Sequence, residues 1–175
     1  MSRSTRLWNV PNVISSSRVV LAIAFVLIND TPTRIILIAV AALTDFLDGL
    51  VARLSDQRSV VGALLDPIAD RLFVLAAVSA YLLNGLLTTG QYFIFISRDI
   101  ATAIGFIVAR IIPWLRPVTF RARLLGKAVT VLQLATLMAV LLQPSATSWL
   151  IVAIAVLSTM SIFDYTLALW RARVR

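Results

Sequence analysis

The run RIILIAVAALTDFLDGLVARL, from Arg34 to Leu54, is followed after a short polar break by VVGALLDPIADRLFVLAAVSAYLL, from Val60 to Leu83. Each is long enough to cross a bilayer, which takes about 20 predominantly apolar residues in a helix. Each nevertheless carries two carboxylates, Asp45 and Asp48 in the first run and Asp66 and Asp70 in the second. An ionised side chain at membrane depth costs about 3 kcal/mol or more unless something of opposite charge meets it, so intramembrane acids point to a functional site. Carboxylates converging at one place imply a cation.

The rest of the chain extends the same pattern. Punctuation by Pro, Gly, Asn and charge divides it into spans at Val13–Ile28, Arg34–Leu54, Val60–Leu83, Tyr92–Ile112, Leu124–Leu142 and Trp149–Trp170. The expected fold is all-α: an integral membrane bundle of six transmembrane helices forming one domain over residues 1–175. The first eight residues, with Leu7 and Trp8 beside Arg3 and Arg6, read as a short N-terminal interfacial segment. They lack a small-residue cleavage site, so no removable signal is expected.

Composition agrees. Hydrophobic residues make up 60% of the 175 and charged residues 14%, with a mean hydropathy of +0.95. There is no histidine and no cysteine, which removes disulfides, thiol nucleophiles and imidazole bases, and leaves the carboxylates to carry any chemistry. The net charge of +8 comes from arginines that punctuate apolar runs instead of forming a basic domain. Their partner is expected to be an anionic lipid bilayer, not nucleic acid. Trp114, Trp149 and Trp170 near span ends suit interfacial anchoring.

Basic residues also set the orientation, because cytoplasmic loops are enriched in Lys and Arg. The N-terminus, the Arg53–Arg58 loop, the Arg110–Lys127 loop and the Arg171–Arg175 tail fall on one side. Both termini and the aspartates are therefore expected at the cytoplasmic face of a multi-pass protein, most simply in a bacterial inner membrane.

On a helix, residues three, four and seven apart share a face. Asp45, Asp48 and Ala52 then line one stripe, and Gly62, Asp66 and Asp70 another. Hard oxygen donors of this kind suit Mg²⁺ or Mn²⁺, one or two ions. Gly49, Ala52 and Gly62 offer little bulk where a ligand could approach, and Arg53 offers a fork for a phosphate. The simpler alternative is ion pairing of the aspartates with Arg53, Arg71 and Arg98 to hold the bundle together.

The spacing Asp45-x2-Asp48-Gly49-x2-Ala52-Arg53-x8-Gly62-x3-Asp66-x3-Asp70 resembles the signature of the CDP-alcohol phosphatidyltransferases at all eight fixed positions. The resemblance implies that the four aspartates hold the divalent metal and that Asp70 also acts as general base on an acceptor hydroxyl. It further implies that Gly49, Ala52, Arg53 and Gly62 contact the CDP group of CDP-diacylglycerol. The reaction implied is phosphatidyl transfer to an alcohol with release of CMP.

Other segments bear on the acceptor. Pro11-Asn12-x2-Ser15-x2-Arg18 is similar to a segment shared by cardiolipin synthases and phosphatidylglycerophosphate synthases. Ser97-Arg98-Asp99 looks like the cardiolipin synthases, whereas Asp164-Tyr165 looks like the phosphatidylglycerophosphate group. Within Gly126-Lys127-x-Val129-Thr130-x2-Gln133, Val129 stands where the latter group usually has a second lysine. These features imply phosphatidylglycerol as acceptor, with glycerol 3-phosphate as the alternative, and Arg98, Arg110 and Lys127 as its contacts. For Arg18 and Arg98 the plainer expectation is pairing with carboxylates or snorkelling. A reading from another class, a cation carrier or membrane scaffold, is disfavoured because few polar groups continue through the far halves of the spans. The sequence admits a homodimer without requiring one.

Overall fold

The computed structural model describes the backbone of residues 10–54, 62–111 and 124–173, and side chains within 17–47, 71–105 and 126–167. It is helical: α1 Val10–Leu27, α2 Thr31–Leu54, α3 Gly62–Leu83, α4 Thr89–Ile111, α5 Leu124–Leu142 and α6 Pro144–Arg173, with no strand among the described residues. The interfacial segment expected at the first eight residues lies outside the described part.

Several helices begin earlier than their apolar content indicates, because local capping chemistry starts them. Pro11 sits in the first turn of α1, where a missing N–H costs nothing. Asp30 caps α2: its Oδ2 accepts from the Thr33 N–H at 3.0 Å and from the Thr33 hydroxyl at 2.6 Å. Thr88 and Gln91 form a reciprocal box at the start of α4, each side chain accepting from the other's backbone N–H, at 2.9 and 3.3 Å. Pro144 opens α6 directly after Gln143. Just past the end of α3, Gly85 has a φ of +70°, which allows its N–H to reach Leu82 O at 3.0 Å and the Leu86 N–H to reach Tyr81 O at 2.9 Å.

Hydrogen bonding by Thr33 holds the Asp30 carboxyl below its ordinary value of 3.8. A depressed pKa means that the cap operates above the unfolded value and is lost as pH falls through the folded one. Hydrogen exchange at the first turn of α2 is therefore expected to be protected at neutral pH and to lose protection below pH 3.8, and Asp30→Ala to remove it at both.

The chain falls into two compact units, Met1–Leu86 and Leu87–Arg175. In the first, α1 packs against both α3 and α2. Its interior centres on Phe25, which meets Phe73 edge-on at 5.9 Å and Tyr81 at 5.5 Å; all three rings are buried. Arg34, also buried, lies 5.0 Å from the centroid of Phe25 and donates to Ile28 O at 2.7 Å and Asn29 Oδ1 at 2.9 Å. Its charge is thus met by a ring face and two oxygens at the α1–α2 corner.

In the second unit α6 packs against α4 and α5, burying Phe95, Ile96, Val129, Leu137, Val140, Ile151 and Ile154. Both units leave large apolar side chains outward, among them Leu27, Phe46, Leu83, Trp149 and Phe163, each well over half exposed. Thr44, Thr102, Thr130, Thr136, Thr159 and Thr166 all donate to the carbonyl four residues earlier, which satisfies each hydroxyl within its own helix. One described stretch, Pro144–Asp164, is long and apolar enough by its own composition to cross a membrane.

Candidate active site

Helices α2 and α3 carry the expected carboxylates at the ends that face their connection, residues 55–61. Asp45 and Asp48 lie three apart on α2, and Asp66 and Asp70 four apart on α3. Both stripes therefore lie toward the helix ends that this connection joins. Gly49, Ala52 and Arg53 follow on α2, and Gly62 opens α3. The side chains of Asp48, Ala52, Arg53, Asp66 and Asp70 lie outside the described residues.

Asp45 is the member of the quartet whose side chain is described. Its Oδ1 lies 3.6 Å from a terminal nitrogen of Arg18 on α1, and the side chains are 45% and 3% exposed, respectively. The pairing expected for Arg18 is thus present, and it ties α1 to the carboxylate stripe. A guanidinium so deeply buried is offset by this carboxylate. At 3.6 Å, and with Asp45 nearly half exposed, the contact leaves the carboxylate accessible to a further cation. The donor chemistry fits a hard divalent ion: oxygen ligands at helical spacing, with no thiol or imidazole in the chain.

The second unit holds a different polar cluster. Arg98 on α4 is 7% exposed, and its Nη1 lies 3.2 Å from Asp99 Oδ1. The other oxygen of Asp99 accepts from Gln133 Nε2 on α5 at 2.8 Å, and the same amide nitrogen donates to Phe95 O at 2.9 Å. Both hydrogens of the Gln133 amide are therefore used, and because both neighbours are acceptors the orientation of that amide is determined. The Nε of Arg98 is buried and has no hydrogen-bond partner among the described residues. Lys127 is exposed near the start of α5, while the side chain of Arg110, at the end of α4, lies outside the described residues. Val129 is fully buried, so this position fills the interior of the unit.

Asp99 and Gln133 were not among the residues expected from sequence to form a site. The available signal was their place in the Ser97-Arg98-Asp99 and Gly126-to-Gln133 segments, together with their polarity inside apolar helices. The pairing of positions 34 residues apart in sequence became visible only in three dimensions.

Comparison with known proteins reveals relatives of two descriptions. The CDP-diacylglycerol–glycerol-3-phosphate 3-phosphatidyltransferase of Aquifex aeolicus is 36% identical over 58% of this chain and 61% of its own length. That of Yersinia enterocolitica is 30% identical over 93% of this chain and 96% of its own. The human cardiolipin synthase (CMP-forming) is 32% identical over 61% of this chain, which spans only 37% of that protein. The family model for CDP-alcohol phosphatidyltransferase matches residues 8–161, a region that holds both aspartate stripes and the Arg98–Asp99–Gln133 cluster. This chain belongs to the CDP-alcohol phosphatidyltransferase family.

Proposed function

We propose that this protein transfers a phosphatidyl group from CDP-diacylglycerol to the hydroxyl of phosphatidylglycerol, releasing CMP. The observation that carries the transfer chemistry is the eight-position spacing from Asp45 to Asp70, which falls on two consecutive helices inside the family match. In the reaction a bond forms between the acceptor oxygen and the β-phosphorus, the bond to the bridging oxygen of the pyrophosphate breaks, and CMP leaves. Asp70 accepts the proton of the attacking hydroxyl, a task suited to a carboxylate within hydrogen-bond reach. Asp45, Asp48, Asp66 and Asp70 would hold one or two Mg²⁺ or Mn²⁺ ions, which supply charge stabilisation to the pyrophosphate and the departing CMP. Gly49, Ala52, Arg53 and Gly62 contact the CDP group, with Arg53 offering a fork to a phosphate oxygen.

Arg98, Arg110 and Lys127 meet the phosphate of the acceptor. Arg98 is already paired with Asp99, so the pair is close to neutral and suits a singly charged phosphodiester better than a dianionic monoester. The buried Val129 supplies no second cation. Glycerol 3-phosphate is the second reading, favoured by the Aquifex and Yersinia relatives, whose names specify that acceptor. Purified protein given labelled CDP-diacylglycerol, Mg²⁺ and each acceptor separately is expected to release CMP with phosphatidylglycerol. Release with glycerol 3-phosphate alone would reverse the assignment, and release with neither would refute the transferase reading.

The outward apolar surface and the span Pro144–Asp164 support a membrane-embedded protein. The arrangement that accounts for the arginine distribution is six spans acting as one domain, with both termini and the carboxylate end on the cytoplasmic side of a bacterial inner membrane. A homodimer in the bilayer is compatible with this arrangement.

A further inference from the structure

A buried guanidinium, a carboxylate and an amide that cross-link α4 to α5 form an oriented chain. Gln133 is 2% exposed and both of its amide hydrogens are committed, one to the Phe95 carbonyl and one to Asp99 Oδ2. Asp99 Oδ1 in turn accepts from Nη1 of Arg98 at 3.2 Å. That leaves Nε of Arg98 buried and without a partner among the described residues, although buried donors are nearly always satisfied in native proteins. Ion pairing alone does not explain this arrangement, because Asp99 is turned so that its two oxygens serve different partners.

We infer that Gln133 is a positioning residue for the acceptor: it fixes Asp99, and through Asp99 it holds Arg98 so that the Nε edge is presented to the phosphate of the acceptor. The inference rests on the reading of Arg98 as an acceptor contact. In a low-dielectric interior an Arg–phosphate hydrogen bond is charge-assisted and strongly dependent on orientation. A guanidinium free to rotate about its own side chain would form that bond less often. Fixing it through a neighbouring helix gives the orientation without adding another cation to the site. The ligand chemistry is a phosphate ester, whether the diester of phosphatidylglycerol or the monoester of glycerol 3-phosphate.

The test uses the purified full chain with CDP-diacylglycerol and Mg²⁺, with the two acceptors in separate arms. Gln133→Leu keeps the volume and removes the donor. It is expected to raise KM for whichever acceptor supports turnover by about tenfold to a hundredfold, the size of one or two lost charge-assisted hydrogen bonds. KM for CDP-diacylglycerol should stay unchanged. Gln133→Glu alone sets two carboxylates against each other and should do the same or worse.

If Arg98→Gln raises acceptor KM but Gln133→Leu does not, the brace is wrong and the acceptor role of Arg98 stands. An unchanged acceptor KM in Arg98→Gln overturns both. Parallel increases in donor and acceptor KM, together with a lower melting temperature, would make Gln133 purely structural. Should Gln133→Leu fail to fold, Gln133→Met, which matches the length of glutamine and also lacks the donor, takes its place, and an unchanged acceptor KM there overturns the inference.

Discussion

Asp70→Asn is expected to lower kcat by about 10² to 10⁴-fold, the usual contribution of a positioned general base. Asparagine matches the size of aspartate and keeps an oxygen for a metal, but it cannot take the proton of the attacking hydroxyl. The helix around it, Gly62–Leu83, is held by the Phe25–Phe73–Tyr81 packing along its later turns and by the Gly85 turn at its end. The substitution should therefore leave helicity and thermal unfolding intact. CDP-diacylglycerol binding that depends on Mg²⁺ should also persist, measured by equilibrium binding of the labelled lipid. Near-normal turnover in this variant would remove Asp70 from the role of base. Loss of binding together with turnover would make it chiefly a ligand to the metal.

Asp45→Asn should have two separable effects, because Asp45 stands both in the carboxylate stripe and against Arg18. As a metal ligand it carries a full negative charge, and its loss is expected to shift the Mg²⁺ dependence of activity upward by about tenfold or more. That is the lower end of what even outer-shell changes cost at metal sites. As the partner of a guanidinium that is 3% exposed, it also offsets a buried charge. Removing the carboxylate leaves that charge less compensated and should lower the melting temperature in the absence of metal. Arg18→Met combined with Asp45→Asn separates the two: the thermal defect should be relieved, since no buried charge remains, while the Mg²⁺ requirement should not. A double variant as unstable as Asp45→Asn would show that the thermal defect does not come from an uncompensated Arg18 charge. Unchanged Mg²⁺ dependence would take Asp45 out of the metal site.

Much of the carboxylate end was readable without coordinates. Asp45, Asp48, Asp66 and Asp70 repeat at intervals of three and four, and in an apolar run such intervals have one meaning, a helix with a polar stripe. The helices themselves were legible from their apolar length, although their starts were not. Apolar counting began the second, fourth and sixth spans at Arg34, Tyr92 and Trp149. Asp30, the Thr88–Gln91 box and Pro144 begin the helices three to five residues earlier, because capping is a property of polar neighbours that a hydropathy count passes over.

Which helix packs on which was decided only in three dimensions, as was the face that each one buries. Phe25 and Val26 are equally suited to an interior by composition, yet one is fully buried and the other 45% exposed. In a bilayer, lipid chains and protein interior are alike in polarity, so an apolar sequence does not say which side meets lipid. Close packing and a few polar contacts make that choice. The contact of Arg18 with Asp45 and the hold of Gln133 on Asp99 are two such choices, each joining different helices. Residue type and spacing were enough to propose a carboxylate-based metal chemistry for these residues. The amide that meets Asp99 beside Arg98 comes instead from another helix, and no local pattern encodes that distance.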